Sequence, residues 1–122
     1  MLSNKNRIKS AADYRQTVRR GERFRGRYCV CYAIATEVGK PARFGFIVSR
    51  SVGMAHTRNL IRRRLKAISA EILADGVSAV DVVYRAHPGA ALATYSELRR
   101  DLISVVARIR LVSDSAVKAV ES

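Results

Sequence analysis

The sequence predicts a single-domain α+β sandwich with the element order α-β-β-β-α-β-α, in which helices pack on a small sheet. The chain has 122 residues, which suits one domain, and 48% of them are hydrophobic, enough for a core despite a net charge of +13. Segments with the strand period of two alternate with segments of helical period. The changes between them fall at glycine, proline or capping residues, as expected where elements begin and end.

The N-terminal part of the chain is predicted to be an arm followed by a helix. Residues 1–8 are polar and basic, so we expect a flexible arm there. A helix is predicted over residues 10–21, because Ser10 and Asp13 have capping-box spacing and Gly21 supplies a C-terminal stop.

Strands are predicted over residues 24–36, 43–49 and 80–86, and the first is either one bent strand or two. Alternation in the first segment gives one face of larger side chains and one of small side chains that lets a helix pack closely: Cys29, Cys31, Ala33 and Ala35. Two cysteines on one face suit small core residues in a reducing compartment better than a disulfide. A metal site built on them would need His56 or His87 to arrive from elsewhere.

Two further helices are predicted. One spans about residues 55–73 and is closed by Asp75 and Gly76. The other follows a second capping box, Thr94 with Glu97, and its core stripe is Leu98, Leu102, Val105 and Ile109. Residues 112–122 are small and polar, and we expect this tail to fray.

The positive charge is concentrated in the first half of the chain. Residues 1–66 contain 17 Lys and Arg against three Asp and Glu, whereas residues 67–122 contain six against seven. Arginine, whose planar guanidinium can grip phosphate with two hydrogen bonds, supplies 18 of the 23 basic residues. Such segregation is typical of a nucleic-acid-binding surface.

The predicted helix over residues 55–73 is apolar on one side and basic beside it. At 100° per residue, its core stripe is Ile61, Leu65, Ile68 and Ile72. Next to the stripe runs a set of side chains that we call the basic band: Arg58, Asn59, Arg62, Arg63 and Lys66. No acid occurs between Glu37 and Glu71. A structural helix usually interleaves Glu with Arg, so the missing counter-charge favours a bound polyanion over a solvated helix face.

Aromatic residues in the basic half favour RNA, or another single strand, as that polyanion, because aromatic rings can stack on unpaired bases. These residues are Tyr14, Phe24, Tyr28 and Tyr32. For Phe24 and Tyr28, core packing is an equally good interpretation. No apolar run approaches the roughly 18 residues that span a membrane, and no apolar segment follows the basic N-terminus. We therefore expect a cytoplasmic protein without membrane contact.

Residues 43–67, RFGFIVSRSVGMAHTRNLIRRRLKA, resemble the protein subunit of bacterial ribonuclease P. The shared motif is a strand, then Val-Ser-basic, a glycine, and Arg-Asn at the start of a basic amphipathic helix. The similarity extends over about residues 4–110 and includes the segment DVVYRAHPGA, which looks like the family's last strand. It implies a left-handed βαβ crossover through the second helix, against the usual right-handed rule.

The resemblance also implies a function. In this family the catalyst is an RNA, to which one protein binds, and the protein also holds the 5′ leader of precursor tRNA. The holoenzyme removes the leader endonucleolytically and leaves a 5′-phosphate on the mature tRNA. The chain would thus be the accessory subunit of an endoribonuclease with no catalytic residues of its own, and Mg²⁺ would be held mainly by the RNA and the substrate.

Site residues carry over by position. The motif implies contacts with the catalytic RNA from Arg50, Arg58, Asn59, Arg62, Arg63 and Lys66. Leader-binding positions match Arg7, Lys9, Tyr14, Val18, Phe24 and Tyr32. Leu60 stands where the family has a third motif arginine, on the flank opposite the basic band, and Arg64 is the candidate to replace it. Val18 stands where the family often has an aromatic residue, so stacking there should be weaker.

Two other functions remain open from the sequence. One is a non-catalytic RNA-binding protein, such as a ribosome-associated protein. The other is a protein nuclease in its own right, for which the basic residues lack an accompanying carboxylate cluster. Cleavage of precursor tRNA with and without the catalytic RNA separates the three.

Overall fold

A computed structural model describes residues 2–121 of the chain, and the side chains of residues 2–111. The helices and strands follow the predicted order: α1 (Ala11–Arg20), β1 (Glu22–Arg25), β2 (Cys29–Ala35), β3 (Arg43–Ile47), α2 (Ala55–Ala74), β4 (Val80–Ala86) and α3 (Tyr95–Glu121). Short 3₁₀ turns occur at Asn4–Asn6, Arg50–Val52 and Pro88–Leu92. The predicted fold class is confirmed, and the segment 24–36 contains two strands. Over residues 112–121, where the sequence predicts a frayed tail, the backbone continues α3 as far as Glu121.

The four strands form one mixed sheet in the order β1-β2-β4-β3. β2 pairs antiparallel with both β1 and β4, whereas β3 and β4 are parallel. Helix α2 therefore makes a crossover connection between two adjacent parallel strands. Its left-handedness stays a prediction from the family resemblance.

One face of the sheet, which we call the core face, packs against α2 and α3. Cys29, Cys31 and Ala33 are buried there, and their small side chains leave room for the helices, as predicted. Burial raises the pKa of Cys29 to about 12, so this thiol stays protonated. The rings of Phe44 and Phe46 stack on Tyr84, with centroids 6.0 and 5.7 Å away.

Both predicted helix stripes close this core. Each of their eight residues is at most 5% exposed: Ile61, Leu65, Ile68 and Ile72 on α2, and Leu98, Leu102, Val105 and Ile109 on α3. The capping box at the start of α3 is complete, because the Glu97 amide donates to Thr94 Oγ1 and the Thr94 amide donates to Glu97 Oε1. Gly76 ends α2 with φ of +97°, a left-handed conformation that favours glycine.

The opposite face of the sheet, which we call the α1 face, is crossed by α1. The helix begins as predicted, with the Asp13 amide donating to Ser10 Oγ over 3.1 Å. It also ends at Gly21, but for a different reason than a left-handed cap, since Gly21 has φ of −70°. A Cβ there would collide with the carbonyl oxygen of Thr17 and lie 3.0 Å from that of Ala33. Glycine is needed for close approach to β2.

Residues 2–8, where the sequence predicts a flexible arm, pack along β3 in the structure. Leu2 and Ile8 are buried, and the Ile8 amide donates to the carbonyl of Phe44 over 2.9 Å. The buried Asn6 side-chain amide donates to the carbonyl of Ala42. The prediction rested on the polar majority of this segment, whereas its two apolar residues and one amide are enough to dock it at the sheet edge.

Candidate nucleic-acid interface

The basic band lies along the solvent side of α2, next to the buried stripe. Asn59 and Arg63 are exposed, and Arg58, Arg62 and Lys66 are half-buried. This matches the angular arrangement expected from the sequence, because residues beside a core stripe bury their aliphatic parts and keep their charged ends near water.

No carboxylate neutralises the band within the part of the chain whose side chains are described. The ion pairs there are Lys40–Glu37, Arg43–Asp13, Arg43–Asp81 and Arg99–Glu71. Arg62 donates instead to the Asn59 side chain and to the carbonyl of Val48. Arg58 Nε is buried without a hydrogen-bond partner. The band thus has free charge for an anionic partner.

The structure places Arg50 near the start of the band. It is exposed at the head of the Arg50–Val52 turn, two residues beyond Val48, the residue that Arg62 contacts. On the other flank, Leu60 is 37% exposed and Arg64 donates to the carbonyl of Ala93 over 3.1 Å. Arg64 is therefore anchored to the turn before α3.

Three of the predicted leader-binding residues come together on the α1 face. Tyr14 and Val18 lie one turn apart on α1, and Tyr32 lies on the adjacent β2. Tyr32 is only 9% exposed, and the guanidinium carbon of Arg85 lies 5.6 Å from its ring centroid. We use the name cleft for the part of the α1 face that lies beside these three residues.

The ring of Tyr14 packs directly on a glycine of the sheet, Gly45. Its hydroxyl accepts a hydrogen bond from the Phe46 amide over 3.1 Å, and a Cβ on Gly45 would lie 2.5 Å from the Tyr14 ring. Glycine is required here because the ring lies directly on the backbone.

Gly45→Ala is therefore expected to lower the free energy of unfolding by about 1–3 kcal/mol, the usual cost of overpacking. Chemical denaturation followed by circular dichroism measures it. Gly89→Ala is the matched control, because a Cβ at Gly89 meets nothing within 4 Å. Equal stability of both variants would contradict the seating of Tyr14.

An ion-pair cluster fastens α1 to one end of the sheet. Arg43 Nε and Nη2 donate to the two oxygens of the buried Asp81 at 2.9 and 2.6 Å, and Nη1 donates to Asp13 at 3.3 Å. Hydrogen bonding to Asp81 raises the pKa of Arg43 above its usual value. The acidic groups Asp13 and Asp81 at this end are thus engaged. We call the opposite end of the strands, where Arg25 and Arg85 are exposed, the open end of the cleft.

Phe24 does not join this cleft, which corrects the assignment made from the sequence. In the β1–β2 register it lies opposite Cys31, on the core face, and it is 9% exposed. Directly paired residues in a sheet point to the same side, so Phe24 and Tyr32 are on opposite faces. Phe24 is a core residue.

The two N-terminal candidates lie at the far edge of the sheet. Arg7 lies on the outer side of β3, where it forms an isolated bridge with Phe44, and its side chain donates to the carbonyl of Leu2. Two strands, β4 and β3, separate it from β2, a distance on the order of 14 Å at the usual strand spacing. Lys9 is exposed where the chain enters α1.

Three arginines of the α1 face were missed from the sequence. Arg23 and Arg25 alternate with Phe24 along β1. Arg85 lies on β4, where it pairs with Val30 of β2. The alternation around Phe24 could have revealed the first two. Arg85 needs the strand register, which the sequence does not provide.

A cluster suited to acid–base or metal chemistry is not found among the described residues. No group of three or more His, Cys, Asp or Glu side chains converges there. Within the same range, no helix combines the length and apolarity that crossing a bilayer requires.

Fold and site together define a class: a small α+β domain whose basic band on α2 finds no carboxylate among the described side chains, with aromatic residues on the other face of its sheet. The family model described as Ribonuclease P matches residues 2–110. The ribonuclease P protein component of Clavibacter michiganensis is 44% identical over 108 residues, covering 88% of this chain and 96% of that protein. That of Kocuria rhizophila is 43% identical over 107 residues, covering 88% and 94%.

A solved structure agrees with these relatives. The RNase P protein of Staphylococcus aureus superimposes with a TM-score of 0.77 at 25% identity, covering 85% of this chain and 94% of that one. The chain belongs to the ribonuclease P protein family and is a ribonuclease P protein subunit.

Proposed function

We propose that this subunit binds the catalytic RNA of ribonuclease P through the basic band and holds the 5′ leader of precursor tRNA in the cleft of the α1 face. In this way it assists Mg²⁺-dependent removal of the leader to give the mature 5′ end. The observation that supports this best is the band itself, whose charges find no carboxylate among the described residues.

The band suits a folded RNA in its chemistry. Guanidinium groups grip phosphates with paired hydrogen bonds, and binding releases the counterions that the phosphates had condensed. Arg50 at the preceding turn extends the charged surface, so that one stretch of the subunit faces the RNA.

The cleft suits a single strand. The half-buried Tyr14 and Val18 offer apolar surface, and Arg23, Arg25 and Arg85 add positive charge on the same face of the sheet. Aromatic surfaces flanked by cations bind single-stranded nucleic acid without strong sequence preference.

The basic band and the cleft both reach the same end of the sheet. Arg62 contacts Val48, the residue after β3, and Ile47 at the end of β3 is in register with Arg85 on β4. A substrate leader in the open end of the cleft would therefore lie beside the RNA held on α2.

We propose that Mg²⁺ is held mainly by the RNA and the substrate, where it supplies an activated water and stabilises the leaving oxygen. The cationic groups of the band cannot ligate a metal ion, because ammonium and guanidinium offer no acceptor. Their role is to neutralise phosphates, which lets the negatively charged RNA and substrate approach one another.

Cleavage of precursor tRNA tests this function. At low Mg²⁺, catalytic RNA should cut faster when the subunit is added, because protein cations replace part of the screening by metal. The subunit alone should cut nothing. Cleavage without RNA would indicate a nuclease, and RNA binding without stimulation would indicate a non-catalytic RNA-binding protein.

A further inference from the structure

The guanidinium of the exposed Arg85 lies over the ring of Tyr32, with its central carbon 5.6 Å from the ring centroid. The two residues are diagonal neighbours on the α1 face, because Arg85 pairs with Val30 and Tyr32 pairs with Val83. Long and aromatic side chains reach each other across that diagonal. This contact holds the guanidinium of Arg85 in a defined position on the α1 face.

The same contact changes what Tyr32 can do. The residue is 9% exposed and Arg85 covers part of its ring, so little of the ring remains for a base to stack on. Within residues 2–111, Arg85 has no carboxylate within 4.0 Å and no hydrogen-bond partner for its side chain. The outer group of the pair is therefore a free cation, and the aromatic ring lies beneath it.

The charges around Arg85 are positive. Arg25 on β1 stands in the same row across the sheet, through Val30, and Arg23 follows in the next row. Asp81, the acidic residue of β4 on this face, is paired with Arg43 at the opposite end of the strand. The open end of the cleft thus attracts an anion.

We propose that Arg85, supported by Tyr32, binds a backbone phosphate of the single-stranded leader, and that Tyr32 is its positioning residue. This rests on the proposed function of the cleft. A planar guanidinium held by one face keeps its N–H edge free for two parallel hydrogen bonds to phosphate oxygens. Binding through the backbone serves leaders of any sequence.

Arg85→Ala in the reconstituted holoenzyme tests the contact. We expect about tenfold weaker binding of precursor tRNA with a leader, the scale of one charged hydrogen bond. Binding of mature tRNA should stay unchanged, and the salt dependence should become shallower by about 0.7. Arg85→Lys should keep the salt slope, because the charge remains, and should bind the leader less tightly than wild type. Arg99→Ala is the charge-matched control, since Arg99 pairs with Glu71.

Tyr32→Leu tests the positioning role, because leucine keeps apolar volume and removes the ring. Tyr32→Leu should weaken leader binding when it is the only substitution. When it is combined with Arg85→Ala, it should cause no further loss. An equal reduction in both backgrounds would mean that Tyr32 itself contacts the leader and would overturn its assignment.

Other results separate this inference from the proposed function. If the wild-type holoenzyme prefers leader-bearing substrate but Arg85→Ala keeps that preference, the Arg85 contact is wrong and the cleft function stands. If Arg85→Ala binds the leader less tightly but keeps the wild-type salt slope, Arg85 contacts a base and not a phosphate, which overturns the phosphate assignment. If wild type shows no preference for the leader, both proposals fail.

Discussion

Replacing Arg58 and Arg62 together by alanine is expected to weaken binding of the catalytic RNA about a hundredfold, since each charged hydrogen bond contributes about 1.5 kcal/mol or more. Both residues lie on the basic band, and neither has a carboxylate partner among the described side chains. The plot of log affinity against log salt should become shallower by roughly 0.7–0.9 for each phosphate that the variant no longer neutralises. Filter binding or fluorescence titration over a range of salt concentrations measures both effects.

The controls must separate charge from folding. Arg62 also donates to the carbonyl of Val48, so a second pair, Arg58→Gln with Arg62→Gln, retains a hydrogen-bonding side chain while removing the charge. Arg99→Ala removes one charge from an ion pair elsewhere on the surface. A salt slope that stays at the wild-type value in both double variants would show that the RNA does not contact the band.

The sequence predicted the fold well because local signals and hydrophobic periods agree in most elements. The complete capping box of Thr94 and Glu97 and the buried stripe of α2 are examples in which one segment carries its own information. The basic band followed from the same helical period, so its position beside the stripe could also be predicted.

Features that depend on distant partners could not be predicted. The tight turn between β1 and β2 is held by Asp101 of α3, whose carboxylate accepts from the Arg27 and Tyr28 amides at 2.8 and 2.9 Å. These residues are more than 70 positions apart, and only the packed fold brings them together. The same holds for Arg85 on Tyr32, which depends on strand register.

The aromatic residues show where composition misleads. Four of them in a basic half favoured a stacking surface, yet their faces differ once the strands are paired. Phe24 turns to the core, and Tyr28 donates to Glu97 on α3. Tyr14 and Tyr32 remain on the α1 face. Phe24 and Tyr32 would share a face on one continuous strand, so it is the turn between β1 and β2 and the register of their pairing that put the two rings on opposite faces.

Phe24→Ala is expected to lower the free energy of unfolding by about 3–5 kcal/mol, the usual cost of truncating a buried phenylalanine. Phe24 is 9% exposed on the core face, opposite Cys31. Because it lies on the other side of the sheet from the cleft, the folded fraction should bind leader-bearing and mature tRNA with the wild-type ratio of affinities. Denaturant unfolding and paired binding titrations, at a temperature where the variant remains folded, give the two quantities.

Phe24→Leu extends this test, because leucine keeps much of the apolar volume and should restore most of the stability. A direct role in the leader site predicts the opposite pattern: Phe24→Leu would be stable but would no longer prefer the leader, as expected when a stacking ring is removed. That pattern would show that Phe24 contacts the leader and would contradict the register in which it lies opposite Cys31. Full stability together with an unchanged ratio in Phe24→Ala would also contradict it, since a ring buried in the core cannot be removed without cost.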